Sequence, residues 1–204
     1  MPYHHEDLRG AFLSAAAAAI TANGMDSLNL RALARDLDVT HAAARHHFGG
    51  RRGLLTALAV QGHHELTTAL DEAPDLLQSG IAYVNFALSH PAHFQVMFAP
   101  QLVDADDPAL QAAQNALADA LIRAAEESAE FGPTSPRTPG AGQPPPDDAR
   151  PRPTTEPALL AAWSLAHGLA TLAVSGNLPD LAEDGGQELI RDTLDRLLRS
   201  RATD

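Results

Sequence analysis

Apolar residues recur at helical spacing along most of the chain. Leu8, Phe12, Ala15, Ala16, Ala19 and Ile20 share one face, and Gly24 follows as a natural stop. Asn29 suits the cap of a second helix, whose stripe is Leu30, Leu33, Ala34 and Leu37. Thr40 caps a third, running to about Phe48. Gly49-Gly50 breaks the pattern before a fourth begins near Arg51 and continues to about Leu70. Three short helices and a longer one are therefore predicted over the first seventy residues. Farther on, the spacing predicts helices over about Leu76–Ser89, from His90-Pro91 to Phe98, and from Asp107-Pro108 to near Phe131. The last two run from Glu156-Pro157 to about Ser175, with Gly176 as stop, and from about Gln187 to Arg201. There is no internal repeat and no sustained heptad.

One stretch interrupts this pattern. Residues 132–157 hold nine of the fifteen prolines and no Ile, Leu, Val, Met, Phe, Trp or Tyr. Such a segment has nothing to bury against its ordering entropy, so a disordered loop is expected at about 132–156. Elsewhere 45% of the chain is hydrophobic, enough for a substantial core, while 4% aromatic residues and abundant alanine suit packed helices better than a sandwich or barrel. The absence of cysteine excludes disulfides, thiolate metal sites and a cysteine nucleophile. No apolar run reaches the ~18–20 residues of a membrane span, and the polar start Met1-Pro2-Tyr3-His4-His5-Glu6-Asp7 does not look like a secretory signal. A soluble, cytoplasmic, all-α protein without a membrane partner is expected.

Charge is unevenly spread. The net value is −12, and every basic residue is arginine. Residues 1–55 carry six arginines against five carboxylates, with five histidines besides. The rest carries eight against twenty-one. A neutral-to-basic head on an acidic body is what an anionic partner met only by the head would require, although a merely less acidic head accounts for it equally well.

The segment Leu30–Phe48 carries the most information. Its two helices are separated only by Asp38-Val39, so they must cross sharply, and Asp38 stands where the chain needs a left-handed or bridge conformation. On the second of them Ala44 and Phe48 can face a core while His41, Ala42, Arg45 and His46 point away. Small residues with arginine and histidine suit a major groove, and Thr40 with the free amides of the helix start suits a phosphate. A solvated helix face reads the same way in isolation. Context decides between them. Ala11–Gly24, Leu30-Arg31-Ala32-Leu33-Ala34, Val39-Thr40, Arg45-His46-His47-Phe48 and Arg51-Arg52-Gly53-Leu54-Leu55 together resemble the DNA-binding domain of the TetR family of bacterial regulators. Asp38 replaces the usual turn glycine and Arg45 the usual tyrosine, so family rules of base preference do not transfer. The resemblance implies a three-helix helix-turn-helix domain over 1–55, contacting DNA through Arg31, Thr40, His41, Ala42, Ala43, Arg45, His46, His47 and Arg51.

Trp163-Ser164-Leu165-Ala166-His167-Gly168-Leu169 resembles the signature of a C-terminal module, Trp-x-x-x-His-Gly, found on a subgroup of that family. His90-Pro91-Ala92-His93-Phe94-Gln95-Val96-Met97-Phe98 resembles a second stretch of the same module. This implies a helical sensor and dimerisation domain over 56–204 and about nine helices in all. Trp163 and His167 lie four apart on one face, and Gly168 removes a side chain beside them so that another backbone can approach. Homodimerisation through the last two helices, with Ala166, Ala170, Leu194 and Leu197 at the interface, is implied by the resemblance. Those residues also suit a core within one chain. Phe86, Phe94, Met97, Phe98, Leu117, Leu121, Trp163 and His167 are candidates to line an apolar effector pocket, and at helical spacing they equally suit core. With no arginine or lysine among those positions, a neutral or cationic, largely apolar effector is expected.

Taken together, the expected function is a repressor that binds a pseudo-palindromic double-stranded operator as a homodimer and is released by such an effector. Catalysis is disfavoured: there is no Gly-x-Ser-x-Gly elbow, phosphate-binding glycine loop or His-Glu-x-x-His pattern, and no cofactor is implied. Metal sensing through His46-His47 or His63-His64 is a poorer alternative, since adjacent histidines on a helix point about 100° apart. A helical adaptor that has lost specific DNA binding is the other.

Overall fold

The computed structural model describes residues 5–126, 157–182 and 185–199. The expected loop at 132–156 lies outside the described residues, as do 127–131 and the last five. Among the described residues there are nine α-helices and no strand. They are α1 (His5–Asn23), α2 (Leu30–Asp36), α3 (His41–Phe48), α4 (Arg51–Asp71), α5 (Leu76–Ser89), α6 (Pro91–Met97), α7 (Pro108–Glu126), α8 (Pro157–Val174) and α9 (Gly186–Arg199). Two 3-10 turns, Met25–Ser27 and Pro179–Ala182, interrupt what the pattern presented as plain connections. With 19 residues, α1 is long rather than short, because its alanine-rich middle costs a helix almost nothing.

These helices fall into two compact units. The first runs up to Glu65 and takes in His90–Ala113; the second comprises Leu66–Ser89 and resumes at Gln114. The expected boundary near residue 55 and this division both fall inside α4, and the first unit keeps α4 as far as Glu65 together with α6. The reason is tertiary. Leu54, Leu55 and Leu58 of α4 are fully buried. Gly62 lets α6 come close, since a Cβ there would stand 2.6 Å from Met97 Sδ and 3.0 Å from His93 Cβ. The buried Thr56 hydroxyl donates to the Arg52 carbonyl (2.9 Å) and accepts from the Asp104 amide (2.9 Å), fastening the α6–α7 connection to α4.

Local chemistry explains the helix ends. The Asn29 side chain accepts from the amides of Arg31 and Ala32, at 2.9 and 3.3 Å. Thr40 accepts from Ala43 (3.2 Å), and Asp75 and Asp107 do the same for α5 and α7. Gly49 closes α3 at φ 69°, a conformation that an L side chain resists. His90 occupies the cap position of α6 but makes no side-chain cap bond; its ring turns instead toward Glu65, Nε2 to Oε2 3.7 Å. In the second unit α5 packs on α8 and α9, burying Tyr83, Val84, Phe86 and Ala87 with Ala166, Ala170, Ile190 and Leu194.

Candidate nucleic-acid interface and apolar cleft

The geometry of the turn follows from Asp38. It adopts φ 54°, the left-handed region, and is the only non-glycine residue to do so among those described. That reversal lets the Val39 amide bond back to the Ala34 carbonyl (2.9 Å) and sends α3 across α2 after the four residues Leu37 to Thr40. Ala44 and Phe48 point inward, 0% and 7% exposed, and the Phe48 ring meets the Phe12 ring edge-on at 5.7 Å. Ala42, Arg45 and His46 are exposed, while His41, Ala43 and His47 are half-buried. A flat, small-residue face carrying one arginine is thus presented outward on a helix capped at both ends. An open hollow at the turn is bordered by Arg31, Arg35, Asp38, Thr40 and His41.

The arginines divide by what they hold. Arg31 and Arg45 are exposed. Arg35 pairs with its neighbour Asp36 at 3.3 Å on the open surface, which contributes little. Arg51 is placed differently from the other expected contacts. It is half-buried, donating from Nη2 to the Met25 carbonyl (2.7 Å) and from Nε to the Leu28 carbonyl (3.3 Å), so it ties the start of α4 to the 3-10 turn after α1. Sequence spacing shows a basic residue there but not which way it turns. Arg9, absent from the expected set, lies over the face of Phe48 with Cζ 5.7 Å from the ring centroid.

The second unit contains an apolar cleft lined by Leu76, Ser79, Gly80, Tyr83, Leu121, Leu159, Ala162, Trp163, Ala166 and Leu194. Its interior of about 30 Å³ has room for one or two waters. Of the expected pocket residues it brings together Leu121 and Trp163. Phe86 and Leu117 are buried elsewhere in the same unit. Phe94, Met97 and Phe98 belong to the first unit, where Phe94 and Phe98 pack ring on ring at 5.0 Å.

Tyr83, 2% exposed, is the residue that sequence reasoning missed. Its hydroxyl lies 2.9 Å from His167 Nδ1 and accepts from Trp163 Nε1 at 3.4 Å. Burial pushes the phenol up and the imidazole down from their usual values, so both stay neutral. The phenol and Nδ1 thus share one hydrogen bond between neutral groups. The Ser79 hydroxyl is likewise engaged, donating to the Asp75 carbonyl at 3.0 Å. The cleft wall carries no charged side chain, and its hydroxyls and indole N–H already have protein partners.

The expected interface residues sit inside one chain: Ala166, Ala170 and Leu194 are 5%, 0% and 1% exposed. Only the backbone of Leu197, in α9, is described. Gly168 has no described atom within 4 Å of where a Cβ would stand, so no backbone among the described residues approaches it. The exposed face of α8 is Leu160, Ser164, Thr171 and Leu172, with Gly168 among them. As for metal, no group of three or more His, Asp or Glu among the described residues is arranged to hold an ion. His63 is buried with Nδ1 against the Ala59 carbonyl (2.7 Å), while its neighbour His64 is exposed. No described helix is long and apolar enough to cross a membrane.

Comparisons with known proteins bear on both units. The family described as bacterial regulatory proteins, tetR family, matches residues 12–58, and the Tetracyclin repressor-like C-terminal domain matches residues 76–197. No curated protein matches the chain. Among solved structures, a protein of unknown function from Rhodococcus sp. RHA1 is 30% identical over the whole of both chains, with a TM-score of 0.72. The TetR family transcriptional regulator PfmR from Thermus thermophilus is 19% identical, covering 92% of this chain and 97% of its own, at 0.60. NalD, the secondary repressor of the MexAB-OprM multidrug efflux pump in Pseudomonas aeruginosa, is 22% identical, covering 95% and 97%, at 0.54. The last two share the fold. The capped, outward-facing α3 and the two matched domains lead to one conclusion: the chain belongs to the TetR family and is a sequence-specific DNA-binding transcriptional regulator, not an enzyme.

Proposed function

We propose that the protein is a homodimeric repressor of the Trp-x-x-x-His-Gly subgroup, released from a pseudo-palindromic operator by a neutral, largely apolar small molecule held in the Tyr83–Trp163 cleft. The observation that carries the DNA half of this reading is the exposed face of α3, where Ala42, Arg45 and His46 stand clear beside the Thr40 cap. Arg31, Thr40, His41, Ala43 and His47 border that face and complete the contact surface. TetR-family proteins generally bind DNA as homodimers, so two copies of α3 would read two half-sites about one helical turn, or a small multiple, apart.

The subgroup assignment draws support from the joint placement of Trp163, His167 and Tyr83. For the dimer, the outer face of α8 is the better candidate. Leu160 and Leu172, 45% and 43% exposed, flank the open position at Gly168, where a second backbone has room to come close. For the effector, chemistry narrows the choice. A cation would find no carboxylate in the cleft wall and an anion no cationic group, so either would lose its hydration without replacement. The cleft must widen to admit anything larger than a water. A ligand that prefers the widened form by about 1.4 kcal/mol, when that form fits DNA poorly, lowers operator affinity tenfold.

Trp163 is the only tryptophan in the chain and makes its own reporter. Titrations with decanol, decanoate and decyltrimethylammonium, all below their micelle concentrations, compare three head groups on one tail. Decanol is expected to shift Trp163 emission and weaken binding to a bound operator fragment, with the two ions at least tenfold weaker. Equal responses to all three, or a stronger response to either ion, would contradict the neutral-ligand reading.

A further inference from the structure

Of the six arginines before residue 56, Arg31 and Arg45 belong to the DNA-facing surface already described. Arg51 is held by the Met25 and Leu28 carbonyls, Arg35 by Asp36, and Arg52 lies against the Gln101 carbonyl at 3.3 Å. Arg9 remains. It is exposed on α1, one turn before Phe12, and makes no ion pair among the side chains described, which begin at Leu8 on this helix. The Phe12–Phe48 edge contact locks α1 to the last residue of α3 and so fixes where the Arg9 guanidinium stands. A cation–π contact at this distance holds the guanidinium near the ring without using its N–H groups, which stay available to an acceptor. A helix about 10–12 Å across fills the major groove, and it is the N-terminal part of a recognition helix that meets base edges. When α3 lies in that groove, a cation anchored at its C-terminal end stands at the phosphate wall rather than over a base.

We propose that Arg9, held over Phe48, is a phosphate clamp of the DNA interface, taking the role that its sequence position suggests for Arg51. The assignment rests on the reading that α3 enters DNA. Because the clamp meets only the backbone, it contributes affinity and orientation without sequence preference.

Binding of the full-length protein to a selected operator and to an unrelated duplex is measured from 50 to 300 mM salt. The proteins compared are the wild type, Arg9→Met, Arg9→Lys and, as a charge control, Arg191→Gln on the exposed surface of α9. Methionine keeps apolar cover on the Phe48 ring and removes only the charge, and melting temperature checks that the fold is retained. Arg9→Met is expected to reduce the log–log salt slope by about one and to weaken binding about eightfold at 0.1 M salt on both duplexes. Arg9→Lys should keep most of the slope, and Arg191→Gln should match the wild type. An unchanged slope in Arg9→Met would overturn the clamp while leaving the DNA reading intact, as would a loss confined to the operator. Failure of the wild type to bind either duplex would overturn the parent reading and the clamp with it.

Discussion

The recognition helix and the apolar cleft solve opposite problems. On α3 the functional groups stand in water, and what holds them is local: a threonine cap three residues away, a glycine at the other end, and Asp38 at the turn. In the cleft Tyr83 is kept from solvent with Trp163 and His167 half-buried beside it, and what holds them is distant in sequence, since Tyr83 meets the other two across about eighty residues. On the proposed reading, a large polyanion would be met by donors that exchange water for phosphate and base edges. A neutral apolar guest would be met by a wall whose donors already have protein partners, so that it would strand none of them. The difference teaches which substitutions should act on DNA, which on ligand and which only on the fold.

The largest effect is expected where the first unit has no slack. A Cβ on Gly53 would run into the Phe48 carbonyl oxygen, which is backbone and cannot step aside. Gly53→Ala should therefore cost about 3 kcal/mol, the upper end of overpacking, lowering the melting temperature by many degrees and removing DNA binding through the fold. Retention of wild-type stability would mean that α3 and α4 meet less closely than described.

Next is Arg51→Met. Two carbonyls lose a charged donor, so stability should fall by about 2 kcal/mol in urea unfolding. The salt slope of DNA binding by the folded protein should not change, because that guanidinium faces inward. A stable variant with a smaller slope would return Arg51 to the DNA surface.

A smaller effect tests the other region. Tyr83→Phe strands the Trp163 N–H and removes the hydrogen bond to His167, at a cost of about 1–2 kcal/mol. Unliganded operator affinity should stay as it was, while the response to decanol alters. Unchanged stability and unchanged response together would remove the triad from the account.

How far all this is legible in the sequence follows the same division. Asn29, Thr40 and Gly49 announce the ends of α2 and α3 because a cap acts within three residues, and Asp38 announces the turn because few side chains tolerate its φ. That Arg51 turns to the Met25 and Leu28 carbonyls and Arg9 to the Phe48 ring is not legible, because a one-dimensional pattern locates a side chain without its direction. Tyr83 gave no signal at all. On α5 it reads as one more apolar position, and only the fold brings it to Trp163. The packing of α6 with the first unit was hidden for the same reason, since Gly62 reveals itself as a close approach only once Met97 and His93 are opposite it. By pattern Ala166 and Ala170 of α8 suit an interface or a core equally, and which neighbour uses them is a tertiary matter: within the described residues α5 does.

The remaining effect concerns protons and reaches both units. Burial lowers the pKa of His63 and His93 in the first unit and of His167 in the second. The unfolded chain, with histidines near 6.5, then binds more protons below that pH than the native one. The stability these neutral histidines contribute is present above about pH 6.5 and lost as pH falls toward their lowered values, by no more than about 1.4 kcal/mol per pH unit for each. Urea unfolding between pH 8 and 5 checks this. His167→Asn, which keeps an acceptor for the Tyr83 hydroxyl, should flatten the curve, and a wild-type curve flat between pH 7 and 5 would contradict it.

The central claim is that two copies of α3 read a two-fold-related site, and selection of bound duplexes from a random library tests it most directly. The expected result is one enriched pseudo-palindrome with half-sites separated by about one helical turn or a small multiple, whose enrichment Arg45→Ala weakens by about 1–3 kcal/mol. Enrichment of no sequence, or of an asymmetric site bound by a single chain, would contradict it.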